Sequence, residues 1–180
     1  MLIPVIIVVV ILVIIVVFYN SLVGNRNKVR NSWGQIDIQL KRRFDLIPNL
    51  VEIVKGYDNH ERSTFEGVTS ARTKYLSSST PEDMMNANGE LTQVLGKLFA
   101  VAEAYPELKS NINFLELQEE LSKTEDKIGY ARQFYNDVVM EYNNVVQMFP
   151  SSIVARFCSF KEESSFNVDE DEKSAPQIKF

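Results

Sequence analysis

The stretch Asn113–Pro150, NFLELQEELSKTEDKIGYARQFYNDVVMEYNNVVQMFP, decides the fold. Phe114, Leu121, Ile128, Tyr135, Tyr142 and Phe149 recur every seven residues, and Leu117, Thr124, Ala131, Val138 and Val145 fill the offset of three. That spacing lays one apolar seam along a single helix. Asn113-Phe-Leu-Glu116 reads as a capping box with Asn in the place of Ser or Thr, and Pro150 ends the helix. A seam of this kind is buried either in a free coiled-coil dimer or against further helices of the same chain.

The chain upstream supplies such helices. Met84, Leu91, Leu95, Leu98, Ala102 and Tyr105 form a stripe that Pro106 should stop. Thr80-Pro81-Glu82-Asp83 is a helix start: Thr80 as N-cap, Pro81 in the first position, acids facing the positive end of the helix dipole. Before it, Leu50, Val54, Tyr57, Glu61, Phe65, Val68, Ala71 and Tyr75 predict a helix over 47–76. Leu22, Val29, Trp33, Ile36, Leu40, Phe44 and Ile47 predict another from residue 20, ending near Phe44, because Pro48 disfavours helix at the residue before it. Four amphipathic helices imply an all-α fold, an antiparallel up-and-down four-helix bundle over residues 20–150 that buries all four stripes at once.

Met1–Tyr19, MLIPVIIVVVILVIIVVFY, has no charged residue. About 18 apolar residues at 1.5 Å each span about 27 Å, close to the roughly 30 Å hydrocarbon core of a bilayer. No Lys or Arg precedes the run and no small-residue cleavage site follows it, so it reads as an uncleaved single-pass anchor, not a signal peptide. Arg26, Lys28 and Arg30 follow it closely, then Lys41, Arg42 and Arg43. Positive flanks stay on the cytoplasmic side, which places the N-terminus outside and the bundle in the cytoplasm at the cell membrane. The unequal helix lengths imply a lean, with a bend near Gly24.

Beyond Pro150, residues 151–166 mix Ile153, Val154, Phe157 and Phe160 with Arg156 and Lys161. They suit either insertion at the membrane interface or packing back on the bundle. Residues 167–180 form an acidic tail whose composition predicts disorder.

Composition narrows the function. A net charge of −5 argues against nucleic-acid binding. The single cysteine, Cys158, rules out an intramolecular disulfide. His60 is the one histidine, and His60-Glu-Arg-Ser-Thr64 lacks the second ligand of a zinc-protease helix, so His60 and Glu61 read as structural. Seven scattered glycines form no phosphate-binding loop. No catalytic, cofactor or metal site emerges, and no cofactor is expected. Lys41-Arg42-Arg43 reads as a solvated face or as partners for acids of the second and third helices. In the bundle, the first and third turns share one end, which gathers Arg43, Asp45, Asn49, Glu103, Tyr105 and Lys109 into a candidate docking tip for another protein. Arg26, Lys28, Arg30, Phe157 and Phe160 are the candidate lipid contacts.

Several runs carry a family resemblance. Tyr19-Asn-x-Leu-Val-x-x-Arg-Asn, Trp33-x-Gln-Ile-Asp, Gln39-Leu-Lys-Arg-Arg, Asp45-Leu-Ile-Pro-Asn-Leu-Val and Val54-Lys-Gly-Tyr57-x-x-His-Glu61 resemble the LemA family. So do Ala102-Glu-Ala-Tyr-Pro-x-Leu-Lys109, Ala131-Arg-x-x-Tyr135-Asn, Glu141-Tyr-Asn143, Phe149-Pro-Ser-Ser, Phe160-Lys and Phe166. The likeness covers about residues 2–166 and leaves out the tail. It implies a bacterial protein with one N-terminal membrane helix and a helical bundle, and it assigns no catalytic residues. The expectation is a protein-interaction scaffold at the inner face of the membrane, with membrane shaping or lipid binding as the alternative and an enzyme as the least favoured class. Its partners would be membrane lipid and another membrane or cytoplasmic protein.

Overall fold

The computed structural model describes residues 2–56 and 62–166. The described residues are all-α, with no strand among them. The helices are α1 (Leu2–Lys55), α2 (Arg62–Ser77), α3 (Pro81–Glu103), the single turn α4 (Pro106–Lys109), α5 (Ile112–Gln147) and α6 (Ser151–Phe157). His60, Glu61 and the acidic tail lie outside the described residues.

The break expected at Pro48 is absent. α1 runs through Pro48 and stops at Lys55. The reason is a balance of magnitudes. A proline inside a helix costs about 3 kcal/mol. Phe44, Ile47, Leu50 and Val54 straddle it and are all but fully buried. Each such side chain contributes about 1.5–3 kcal/mol, so the stripe outweighs the lost hydrogen bond. Pro48 itself is exposed. Gly24 is likewise helical, and no turn interrupts α1 there.

The chain divides into two compact units, Met1–Ser32 with Arg132–Phe180, and Trp33–Ala131. The second unit draws on α1, α2, α3, α4 and the first part of α5. Its core holds Ile36, Leu40, Phe44, Ile47, Leu50 and Val54 of α1; Phe65, Val68, Ala71 and Tyr75 of α2; Leu91, Leu95 and Leu98 of α3; and Phe114, Leu121 and Ile128 of α5. Phe44 stacks on Tyr75, ring centroids 4.2 Å apart, joining α1 to α2. Phe99 meets Phe114 edge-on at 6.1 Å, joining α3 to α5. Between α2 and α3, Gly67 allows close approach: a Cβ there would meet the Val94 methyls at 3.3 Å.

Helix ends follow their caps. The Asp83 N–H donates to Thr80 Oγ1 at 3.1 Å, as the Thr-Pro-Glu-Asp start predicts. α5 starts earlier than predicted. Its cap is Asn111, whose Oδ1 accepts from the N–H groups of Asn113 (2.9 Å) and Phe114 (3.2 Å).

The first unit contains the apolar run. Its large side chains from Leu2 to Val17 are all exposed, and this is a helix long and apolar enough to cross a membrane. Burial begins at Leu22 and continues at Val29 and Ser32. In α5 the seven-residue seam is buried at Tyr135 and Tyr142, and its last position, Phe149, falls beyond the helix end at Gln147 and is 80% exposed.

Candidate functional site

Arg43 is the main correction to the predicted docking tip. It is buried, not presented. Its Nη1 donates to Asn88 Oδ1 at 2.6 Å and to Thr92 Oγ1 at 3.1 Å, both on α3, and forms an ion pair with Glu125 on α5. Burial lowers the guanidinium pKa, and Glu125 partly opposes that shift. Arginine titrates so high that it stays charged. Arg42 pairs with Glu120, so both arginines of the cluster are matched by acids of α5, whereas the sequence pointed to a solvated face or to acids of the second and third helices; Lys41 is exposed. Beside this node, the Tyr75 hydroxyl donates to Asp37 Oδ1 at 3.2 Å, and burial followed by that carboxylate raises the phenol's pKa.

Asp45 and Asn49, expected in a turn, lie within α1. Asn49 lines a groove of about 500 Å³ with Glu52, Ile53, Asn113, Glu116, Leu117 and Glu120. Ile53 and Leu117 are its apolar part, and the carboxylates are its rim. Glu103 is the last residue of α3, and Tyr105 and Lys109 lie in the connection from α3 to α5, Tyr105 as the residue before the Pro106 turn. A second groove, about 820 Å³, is lined by Lys55, Phe65, Glu66, Thr69, Ser70, Thr73, Lys74 and Ser77. Lys55 Nζ lies 5.5 Å from the Phe65 ring centroid at its end. Among the described residues, no three His, Cys, Asp or Glu side chains gather where they could hold a metal ion.

In the first unit, the candidate lipid contacts separate. Phe160 is buried, its ring 5.9 Å from Tyr19 and 4.9 Å from the Arg26 guanidinium. Lys28 and Arg30 are exposed. Phe157 is 89% exposed.

What holds Phe160 is a feature that sequence reasoning missed. Ser159 has a left-handed backbone, φ 58°. The Phe160 N–H donates to Ala155 O at 2.9 Å and the Ser159 N–H to Arg156 O at 3.3 Å, the paired bonds of a Schellman cap on α6. The chain then reverses and runs as a strap along α5. Asn143 Nδ2 donates to Glu163 O at 2.8 Å while its Oδ1 accepts from the Glu163 N–H at 2.9 Å. Asn136 does the same with Phe166, at 2.9 and 2.8 Å. Tyr142 and Tyr135 donate to the carbonyls of Lys161 (2.8 Å) and Ser164 (3.3 Å). Both phenols have raised pKa values, through burial first and then Glu163. The repeated Tyr-Asn dipeptide, seven residues apart in α5, was the available signal.

The geometry therefore defines an all-α protein whose N-terminal helix can cross a membrane and whose remaining helices pack into compact units. The chain belongs to the LemA family, whose sequence model matches residues 32–180. That match omits the apolar run and takes in the tail that the motif resemblance left out. Among curated proteins, the chain is 25% identical over 158 residues to Protein LemA of Metamycoplasma hominis, covering 86% of this chain and 71% of that one. It is 24% identical over 174 residues to Magnetosome protein MamQ 2 of Paramagnetospirillum magneticum, covering 82% of this chain and 64% of the relative. Magnetosome protein MamQ of Magnetospirillum gryphiswaldense is 22% identical over 175 residues, with 83% and 64% covered. The chain thus spans just under two thirds of the length of the magnetosome relatives.

Proposed function

We propose that this is a bacterial single-pass membrane protein, N-terminus outside, that presents a helical scaffold for protein docking at the inner face of the cell membrane. Its role is binding, not catalysis, and its partners are membrane lipid and another membrane or cytoplasmic protein. The observation that carries the proposal is that α1 is anchor and core element in one helix: exposed and apolar from Leu2 to Val17, then buried at Leu22, Val29, Ile36 and Leu40. The contacts of α1 with α2, α3 and α5, of α2 with α3, and of α3 with α5 support an antiparallel up-and-down four-helix arrangement of the Trp33–Ala131 unit. The cations Arg26, Lys28 and Arg30 just past the span support the inward orientation.

The docking surface that mixes apolar and acidic side chains is the groove at Asn49. Apolar Ile53 and Leu117 between carboxylates Glu52 and Glu116 suit a partner segment bearing Lys or Arg beside apolar residues. A photoreactive residue at Asn49 in intact cells, with adducts identified by mass spectrometry, tests this. The expected result is a discrete protein adduct that disappears when Glu52 and Glu116 are both changed to Lys. Absence of any protein adduct would sink the scaffold. A second reading, membrane shaping or lipid binding, is favoured by the exposed apolar side chains around Phe157.

A further inference from the structure

We infer that Met148, Phe149, Ile153 and Phe157 form a second membrane contact, a foot that enters the headgroup–acyl boundary beside the span. The inference rests on the reading of Leu2–Tyr19 as a membrane span. The four side chains are 62%, 80%, 62% and 89% exposed, within ten residues of one another. Exposed apolar side chains are ordinary when scattered singly, but a contiguous set marks a binding surface. Here the set is organised. α6 buries Ser151, Val154 and Ala155 on one side and turns Ile153 and Phe157, four apart, to the other. Met148 and Phe149, exposed in the turn just before α6, extend the apolar set along the chain.

The occupant is fixed by where the foot is tied. The Schellman cap reverses the chain just after Phe157 and sets Phe160 against Tyr19. Tyr19 ends the apolar run, and tyrosine favours the membrane–water interface, apolar ring inward and hydroxyl toward water. A ring 5.9 Å from Tyr19 is therefore at the interface, and Phe157 is three residues from it. Arg26 over the other part of Phe160, with exposed Lys28, Arg30, Arg156 and Lys161 in the same unit, supplies cations for phosphate groups. The strap bonds at Asn143 and Asn136 hold the segment in this place, so the foot is built before it meets lipid. Phe160, by contrast, is the fastening and not part of the inserted surface.

Cys158 is exposed and is the chain's sole cysteine, next to Phe157. A nitroxide on it, in the full-length protein reconstituted into phosphatidylcholine vesicles, reports depth through relative access of oxygen and a water-soluble nickel chelate. The expected position is about 5–10 Å into the headgroup–acyl boundary. In the Phe149→Ser/Phe157→Ser variant the label should move to the aqueous side. These side chains are exposed, so folding is unaffected. Two labels in a Cys158→Ser background calibrate the scale: Val10→Cys in the span and exposed Asn86→Cys in the second unit. A Cys158 label as nickel-accessible as Asn86→Cys, with Val10→Cys at core depth, overturns the foot and leaves the span standing. A Val10→Cys label in water overturns both.

Discussion

The two units are held together by opposite kinds of chemistry. In Trp33–Ala131, side chains meet side chains: Phe44 on Tyr75, Phe99 on Phe114, and Arg43 among Asn88, Thr92 and Glu125. In the unit with the apolar run, the side chains of α5 grip the backbone of the strap at residues 161–166. The fit is metric. Seven helical residues rise about 10.5 Å and three extended residues about 10 Å. Tyr142-Asn143 and Tyr135-Asn136, seven apart, therefore meet strap positions three apart: Lys161 then Ser164, Glu163 then Phe166. A helix partner must present a matching pattern of side chains. A strap needs only a free amide and carbonyl at the right interval.

The contrast can be broken most severely at Arg43. Arg43→Ala leaves a cavity and strips Asn88 and Thr92 of their donor, at a cost of about 3 kcal/mol. Denaturant unfolding followed by circular dichroism in detergent should show the shift. Arg43→Met with Glu125→Gln should regain part of it, because a buried apolar replacement leaves no unpaired charge. A smaller effect tests the strap. Asn143→Ala or Asn136→Ala each removes a paired set of bonds, about 1–2 kcal/mol, and should speed amide exchange at Glu163 and Phe166. Glu163→Ala keeps the backbone and should fall within about 0.5 kcal/mol of the parent. Equal loss in Asn143→Ala and Glu163→Ala would mean that the strap is held by its own side chains. The smallest effect sharpens the helix ends: Asn111→Ala should cost about 1 kcal/mol as a lost cap, measured by the same unfolding assay, with Asn113→Ala nearly silent.

The same contrast explains what could be read from the sequence. The stripes of α3 and α5 were legible because burial leaves a periodic trace, the Thr80 cap because capping needs particular side chains, and the apolar run because it carries no charge. Arg43 was read as part of a solvated face or as a partner for acids of the second and third helices; it pairs with an acid of α5 and is buried, and Ile36, Leu40, Arg43, Ile47, Leu50 and Val54 alternate steps of four and three, which places it on the core side. Pro48 was overweighted because a local breaker is visible and the tertiary burial that overrides it is not. The proposed tip at Asp45 and Asn49 followed from that misplaced turn. The strap was missed for a different reason: backbone groups are alike along Lys161–Phe166, so the strap carries no pattern of its own and its one signal is the Tyr-Asn repeat of α5.

α1 also has a consequence for how the chain is made. Its core stripe leaves the ribosome early, while Leu121 and Ile128, which share its core, follow nearly half the chain later. At ordinary elongation rates that interval is on the order of ten seconds. During it, Ile36, Leu40 and Phe44 have no partner from α5. Phe160 and the strap are translated later still. If the apolar run enters a bilayer as proposed, its insertion precedes folding of the domain, and a nascent chain stalled between the two would display the core stripe of α1 to chaperones and proteases.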